Sequence, residues 1–152
     1  MITEIEKFMR VGLSLAKIAL KNGEVPIGAV IVKDGVIISK SYNKRNKNKL
    51  ATAHAEINAI EKACKKLGDW RLDGCEMFVT LEPCPMCAGA ILNARISKVY
   101  FGAYEVKSGA LLSNYKMLFN GSLNHKGEVE GGILLDECKA ILKDFFKSKR
   151  NG

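Results

Sequence analysis

The feature that most constrains this chain is a pair of short segments, His54-Ala55-Glu56 and Pro83-Cys84-Pro85-Met86-Cys87, each placed where a loop turns into a helix. The second opens a helical stretch from Pro83 to Asn93, in which Pro85 suits the first helical position because an N–H there has no intrahelical partner. Cys84 then becomes the cap and Cys87 falls in the first turn, so both sulfurs can point at one spot beyond the helix end. Unpaired backbone N–H groups and the helix dipole favour negative charge at that spot, which helps hold the cysteines as the thiolates a metal requires. Two thiolates alone do not complete a zinc site. With the imidazole of His54 they supply the three protein ligands of a catalytic zinc and leave a fourth position for water. Glu56 is then available for proton transfer. Residues two apart on a helix project about 200° from each other, so His54 and Glu56 converge only if the metal lies near the helix axis, beyond its N-terminus.

A Cys-x-x-Cys pair by itself also suits a thiol–disulfide active site, a reading that leaves His54 and Glu56 without a purpose. A structural zinc in an RNA-binding module needs a fourth protein ligand, and neither Cys64 nor Cys75 has metal-ligand spacing. The five cysteines are Cys64, Cys75, Cys84, Cys87 and Cys138. Their odd number, and an opening MITEIEKFMR with acids where a secretory signal carries bases and an apolar block, argue against a disulfide framework and for a reducing cytoplasm. The three outside the pair read as small apolar core residues. No apolar run approaches the ~20 residues of a bilayer span, so a membrane location is not expected.

The sequence around the two segments alternates helical and strand patterns. Apolar positions at helical spacing mark an opening helix from Ile2 to Asn22, stopped by Asn22-Gly23. Ile27 to Val32 and Val36 to Ser41 are β-branched runs joined through Asp34-Gly35, a strong hairpin signal. Asn43 to Lys49 reads as a loop and Ala53 to Leu67 as a second helix closed by Gly68. Glu76 to Leu81 is a strand, and Ile96 to Phe101 another, ended by Gly102. With the Pro83 to Asn93 helix between them, these strands imply a parallel crossover. A short helix is expected around Ser108 to Phe119, a short last strand at Glu128 to Glu130, and a closing helix from Ile133 to Lys149. At 152 residues, 47% hydrophobic and 26% charged, the chain is expected to form one globular domain over residues 1–152. The expected fold is a three-layer α/β/α arrangement around a mixed sheet of about five strands.

Lysine and arginine outnumber acids to give a net charge of +8. The excess gathers in two places, Lys40 to Lys49 and Lys143 to Arg150. Such clusters attract polyanions, nucleic acid first among them; a solvated basic surface kept for solubility is the alternative.

Thr52-Ala53-His54-Ala55-Glu56-Ile57 and Val79-Thr80-Leu81-Glu82-Pro83-Cys84-Pro85-Met86-Cys87-Ala88-Gly89-Ala90 closely resemble the bacterial tRNA-specific adenosine deaminases. The likeness extends to Glu24-Val25-Pro26-Ile27-Gly28-Ala29-Val30, Trp70-Arg71-Leu72, Ala94-Arg95-Ile96, Phe101-Gly102-Ala103, Asn124-His125 and Asp144-Phe145-Phe146. Zinc nucleobase deaminases at large share the His-x-Glu and Pro-Cys-x-x-Cys signature, so it identifies chemistry better than substrate. The resemblance implies a cytidine-deaminase-like fold, a homodimer, one zinc per chain and conversion of a wobble adenosine to inosine in a tRNA anticodon stem-loop. It makes His54, Cys84 and Cys87 the zinc ligands, Glu56 the proton shuttle and Asn43 a contact to the target base. The backbone N–H of Ala55 or Cys84 is expected to position the reacting hydroxyl. Phe145 and Phe146 in the closing helix are expected to touch RNA unless they belong to the core, and Lys147, Lys149 and Arg150 to meet its backbone. Two positions depart from the family pattern: Glu105 stands near the usual aspartate, and Leu112-Ser113-Asn114 replaces a Gly-Ser-Leu segment. Both border the nucleotide flanking the target. The competing function is deamination of a free base or nucleoside, of guanine or cytosine type, which would need no polyanion-binding surface.

Overall fold

The computed structural model describes residues 2–114 and 127–151. Helix α1, Glu4–Lys21, begins at a capping box: the Thr3 hydroxyl accepts from the Glu6 N–H, and the Glu6 carboxylate accepts from the Thr3 N–H. Strands β1, Gly28–Lys33, and β2, Val36–Tyr42, pair antiparallel. Asp34 and Gly35 turn between them at φ 51° and 76°, the positive values such a tight hairpin demands. A single helical turn, α2 at Arg45–Asn48, precedes α3 at Ala55–Leu67, which ends on Gly68 at φ 68°. Strand β3, Cys75–Leu81, leads into α4, Pro85–Asn93, and returns as β4, Lys98–Ala103. Strand β5 covers Glu128–Glu130 and α5 covers Leu135–Asn151.

The five strands lie in the order β2-β1-β3-β4-β5. β1 runs antiparallel to both β2 and β3, whereas β3, β4 and β5 are mutually parallel, as the β3-α4-β4 crossover requires. Alternation along the strands sorts side chains to two faces. Ala29, Ile31, Met77, Val79, Val99 and Phe101 pack under α3 and α4. Val30, Val32, Phe78 and Tyr100 pack under α1 and α5, where the Phe78 ring stacks on Tyr100 at 4.6 Å between centroids. Both faces are therefore covered, giving the three layers. Among the described residues no helix is long and apolar enough to cross a membrane.

Three local features differ from the sequence reading. Gly102 lies inside β4 instead of ending it, because this is where α5 presses on the sheet: a Cβ there would collide with the Cys138 thiol and stand 2.8 Å from the Thr80 carbonyl oxygen. The expected loop at Asn43 to Lys49 contains the turn α2. The described part of the expected helix near Ser108, through Asn114, forms turns, since its N–H groups point inward to the Glu82 carboxylate instead of along a helix axis. The rest of that segment, with Asn124-His125, lies outside the described residues.

Candidate active site

His54 is the N-cap of α3 and not part of its helical run: φ −72° and ψ 155° are extended, and its carbonyl accepts from the Asn58 N–H at 3.0 Å. An extended cap sends its side chain off the end of the helix, so the 200° separation that holds within a helix does not apply to His54 and Glu56. Cys84 caps α4 in the same manner, at φ −74° and ψ 173° with Pro85 following, and its carbonyl accepts from the Ala88 N–H at 2.8 Å. The β3-α4-β4 crossover places the start of α4 beyond the C-terminal end of β3, where open α/β sheets bind their ligands. The start of α3 meets it there. His54 Nδ1 lies 3.8 Å from Cys84 Sγ and 3.6 Å from Cys87 Sγ.

These three ligand atoms all lie within 4.8 Å of one another, a cluster that could hold a metal ion. Zn–S and Zn–N bonds of roughly 2.3 and 2.0 Å at a tetrahedral angle place nitrogen and sulfur about 3.6 Å apart. The observed nitrogen–sulfur spacing and the N/S/S donor set fit zinc. Among the described residues no fourth metal-ligating side chain joins the cluster.

Without a metal the three groups share protons. The hydrogen bond from Cys87 lowers the Cys84 thiol to about 4, against burial and with help from His54. Cys87 is pushed up by that same bond and by burial, and His54 is raised chiefly through its bond to Cys84. Glu56 is only 4% exposed, and burial pushes it up to about 7. Its Oε1 is buried and has no hydrogen-bond partner among the described residues. An acid so placed beside a ligand cluster can give and take protons near neutral pH.

Neighbouring segments are fastened to this cluster by hydrogen bonds. Asn58, one turn into α3, donates from Nδ2 to the carbonyls of Tyr42 at 3.1 Å and Ala53 at 3.2 Å, so that Asn43 and His54 are neighbours. Asn43 is buried, and its Oδ1 accepts from the Arg45 N–H at 3.1 Å. The buried Glu24 carboxylate accepts from the Asn46 and Lys47 N–H groups at 3.0 and 2.7 Å, which explains the helical turn α2. The turn stands beside the cluster: the Lys44 N–H reaches the Ala53 carbonyl at 3.0 Å, and Arg45 opposes the proton that the bond to Cys84 favours on His54.

A family model described as MafB19-like deaminase matches residues 3–150. The tRNA-specific adenosine deaminase of Bacillus subtilis (strain 168) is 45% identical over 149 residues, covering 98% of this chain and 92% of its own. The chain belongs to the tRNA-specific adenosine deaminase family. A solved structure from a study of A-to-I editing by tRNA:A34 deaminases at the wobble position superposes with a TM-score of 0.87 at 43% identity, covering 90% of this chain and 99% of that one. The guanine deaminase of Bacillus subtilis superposes with a TM-score of 0.64 at 40% identity, covering 75% and 73%.

The family's other expected contacts divide. Ala55 is buried at the first position of α3, beside the cluster. Glu105 and Phe146 line one groove of about 480 Å³ between the segment after β4 and helix α5, together with Tyr104, Val106 and Lys143. Phe146 is half exposed, whereas Phe145 is buried with its ring edge-on to Phe146, which is the core alternative for that residue. Lys147 and Lys149 are exposed on α5, and the Arg150 side chain lies outside the described residues. Sequence reasoning gave no role to Glu24, Asn58 or Glu82. The signal available for the two glutamates was an acid at the edge of an apolar strand with no base beside it.

Proposed function

We propose that this chain deaminates the wobble adenosine of a tRNA anticodon loop to inosine, with one zinc ion held by His54, Cys84 and Cys87. The observation that carries the chemistry is the partnerless Oε1 of Glu56, buried beside an open three-ligand cluster. When bound, zinc supplies Lewis acidity at the position left open, bringing the pKa of a water there to about 7. Glu56 takes a proton from the attacking water and delivers it to the ring nitrogen beside the reacting carbon, which is a poor electrophile until that nitrogen is protonated, and the oxygen adds to that carbon. The carboxylate then takes the remaining proton of the added hydroxyl and passes it to the departing amino group. The carbon–nitrogen bond breaks, ammonia leaves, and the oxygen stays on the carbon as a carbonyl. The backbone N–H of Ala55 or Cys84 orients the attacking oxygen. Asn43, with Oδ1 committed to Arg45, offers its amide hydrogens to the base. The base must leave its stack to enter, which an exposed anticodon loop permits at low cost.

The tRNA substrate is supported by the names of the relatives and by the cationic turn fastened beside His54. Lys147, Lys149 and Arg150 meet RNA phosphates, and the groove holding Glu105 and Phe146 takes a flanking nucleotide. The protein works in the cytoplasm, where its RNA is. It acts as a homodimer joined near the zinc-bearing helices. Helix α4 carries no charged residue, and a Cβ at Gly89 would meet nothing within 4 Å, so another chain can approach closely. Sedimentation at micromolar concentration is expected to give a dimer; a monomer alone overturns that element of the reading.

The likeness to guanine deaminase at 40% identity favours a second reading, in which the substrate is a free base. Incubation with a synthetic anticodon stem-loop and, separately, with guanine and cytosine discriminates. Inosine is expected in the stem-loop with little ammonia from the bases. Rapid ammonia release from a free base, with no inosine in the RNA, makes the second reading the correct one.

A further inference from the structure

We infer that Glu82 is a positioning residue that holds residues 104–113 against the catalytic cluster and so forms one wall of the substrate groove. This role rests on the deaminase reading above. Glu82 lies two residues before Cys84, and only 2% of it is exposed. Among the described residues no basic side chain bonds to it. Its Oε1 accepts from the Glu105 N–H at 3.1 Å, and its Oε2 from the N–H groups of Leu111, Leu112 and Ser113 at 3.2, 2.7 and 2.8 Å. The Ser113 hydroxyl donates to Oε1 as well. Five donors from one segment thus converge on one buried carboxylate.

Two further backbone bonds and a close glycine fit the segment to that carboxylate. Glu82 donates its own N–H to the Ala103 carbonyl at 2.9 Å, and the Ala110 N–H reaches the Pro83 carbonyl at 2.9 Å. Gly109 leaves room for the carboxylate, since a Cβ there would collide with it and with the Glu105 carbonyl. Leu111, itself one of the donors, is fully buried in the same core cluster as Ala55 and Ala88. The two ends of this segment do different work. Ala110 and Leu111 fill the core under α3 and α4, whereas Tyr104, Glu105 and Val106 form the groove wall that faces Phe146 and Lys143 on α5. The side chains of residues 104–109 cannot by themselves set the height of that wall: Tyr104 packs edge-on against Phe101 yet stays half exposed, and Val106 to Ser108 are exposed. The carboxylate can, as a fixed acceptor between wall and core. Glu105, the position at which this chain departs from the family's usual aspartate, is therefore set by Glu82 through the backbone and not through its own side chain, whose Oε1 accepts from the Lys107 N–H.

A Glu82→Gln variant keeps the size of the side chain while replacing one acceptor oxygen by a donor that faces N–H groups. Ser113→Ala is the milder companion, removing one donor and leaving the carboxylate. Two measurements on the zinc-loaded full chain test the inference. In hydrogen exchange, the amides of 105 and 111–113 are expected to be protected in the native protein, to exchange at least tenfold faster in Glu82→Gln, and to change less in Ser113→Ala. In kinetics with the anticodon stem-loop, KM is expected to rise about tenfold in Glu82→Gln while kcat and zinc content stay within about threefold of the native values. A merely structural role would lower the active fraction, and hence kcat, and leave KM alone. Unchanged exchange at 105 and 111–113, or a fall in kcat with KM constant in both variants, overturns the inference. Native protein that leaves the stem-loop adenosine intact overturns the tRNA reading instead, and the exchange comparison then still decides whether Glu82 holds the segment.

Discussion

A buried acceptor left without a partner destabilises a fold by about 1–3 kcal/mol, and Glu56 carries one at Oε1. Replacing Glu56 by Ala is therefore expected to leave the melting temperature unchanged or higher and zinc at one per chain, while turnover falls at least 10²-fold, the scale of general acid–base catalysis. Elemental analysis beside a deamination assay checks this; loss of metal together with activity would make Glu56 a ligand. The thiols give a second expectation, for protein stripped of metal. Cys84, held down to about 4 by its bond from Cys87, is already a thiolate at neutral pH, so its alkylation rate should hardly change between pH 6 and 8. Cys138, pushed up to about 12 by burial, should gain about tenfold per pH unit over that range and remain far slower. Mass spectrometry of iodoacetamide-treated protein reads both, and a Cys84 rate that climbs with pH would contradict the thiolate assignment. The His-x-Glu and Cys-x-x-Cys residues were legible because each pair is local and sits at a helix start that the sequence announces. Glu24, Asn58 and Glu82 were not. Glu24 and Glu82 find their donors 22 to 31 residues away among backbone N–H groups, which every residue type but proline supplies and which no spacing records.

Elements were legible where their signals were strong, as at the apolar periodicity of α1 with its Asn22-Gly23 stop, the Asp34-Gly35 hairpin and the Pro85 start of α4. The failures share a cause: tertiary contact overrode a local sign. Gly102 reads as a strand terminator, yet β4 runs through it because the glycine is there to admit Cys138. Gly102→Ala is therefore expected to destabilise the protein by about 1–3 kcal/mol through overpacking between α5 and the sheet. Urea unfolding measures the loss, and a change below about 0.5 kcal/mol would mean that α5 yields without cost. Of the strand pairings, the β1–β2 hairpin and the parallel β3–β4 crossover were recoverable, whereas the antiparallel β1–β3 pairing that fixes the strand order was not. Alternation of side chains decides which face is buried, but only the assembled layers decide how closely two backbones approach.

The +8 charge of the whole molecule acquires a direction once the fold is known. Lys44, Arg45, Lys47 and Lys49 occupy one turn and its flanks, and Glu24 fixes that turn through the backbone, leaving the Arg45, Lys47 and Lys49 side chains exposed. A second set runs along the exposed side of α5 through Lys143, Lys147 and Lys149, past the groove that holds Phe146. The half-buried His54 and Cys84 open beside the first set. A polyanion with an extruded base fits such a surface, because its phosphates can be neutralised next to the site that the base enters. Each phosphate neutralised on a single-stranded RNA contributes about −0.7 to the slope of log affinity against log salt. Four cations on the α2 side thus predict about −3 from that side alone, before α5 adds its share. Replacing Lys47 and Lys49 by Ala is expected to reduce the magnitude of the slope by about 1.4, to weaken stem-loop binding at low salt, and to leave kcat at saturating RNA within about twofold. Titrations of labelled stem-loop between 50 and 300 mM potassium chloride measure the slope directly. If the native slope is near zero, the basic turn serves solubility and not RNA; if both proteins give the same steep slope, phosphate contact belongs to α5.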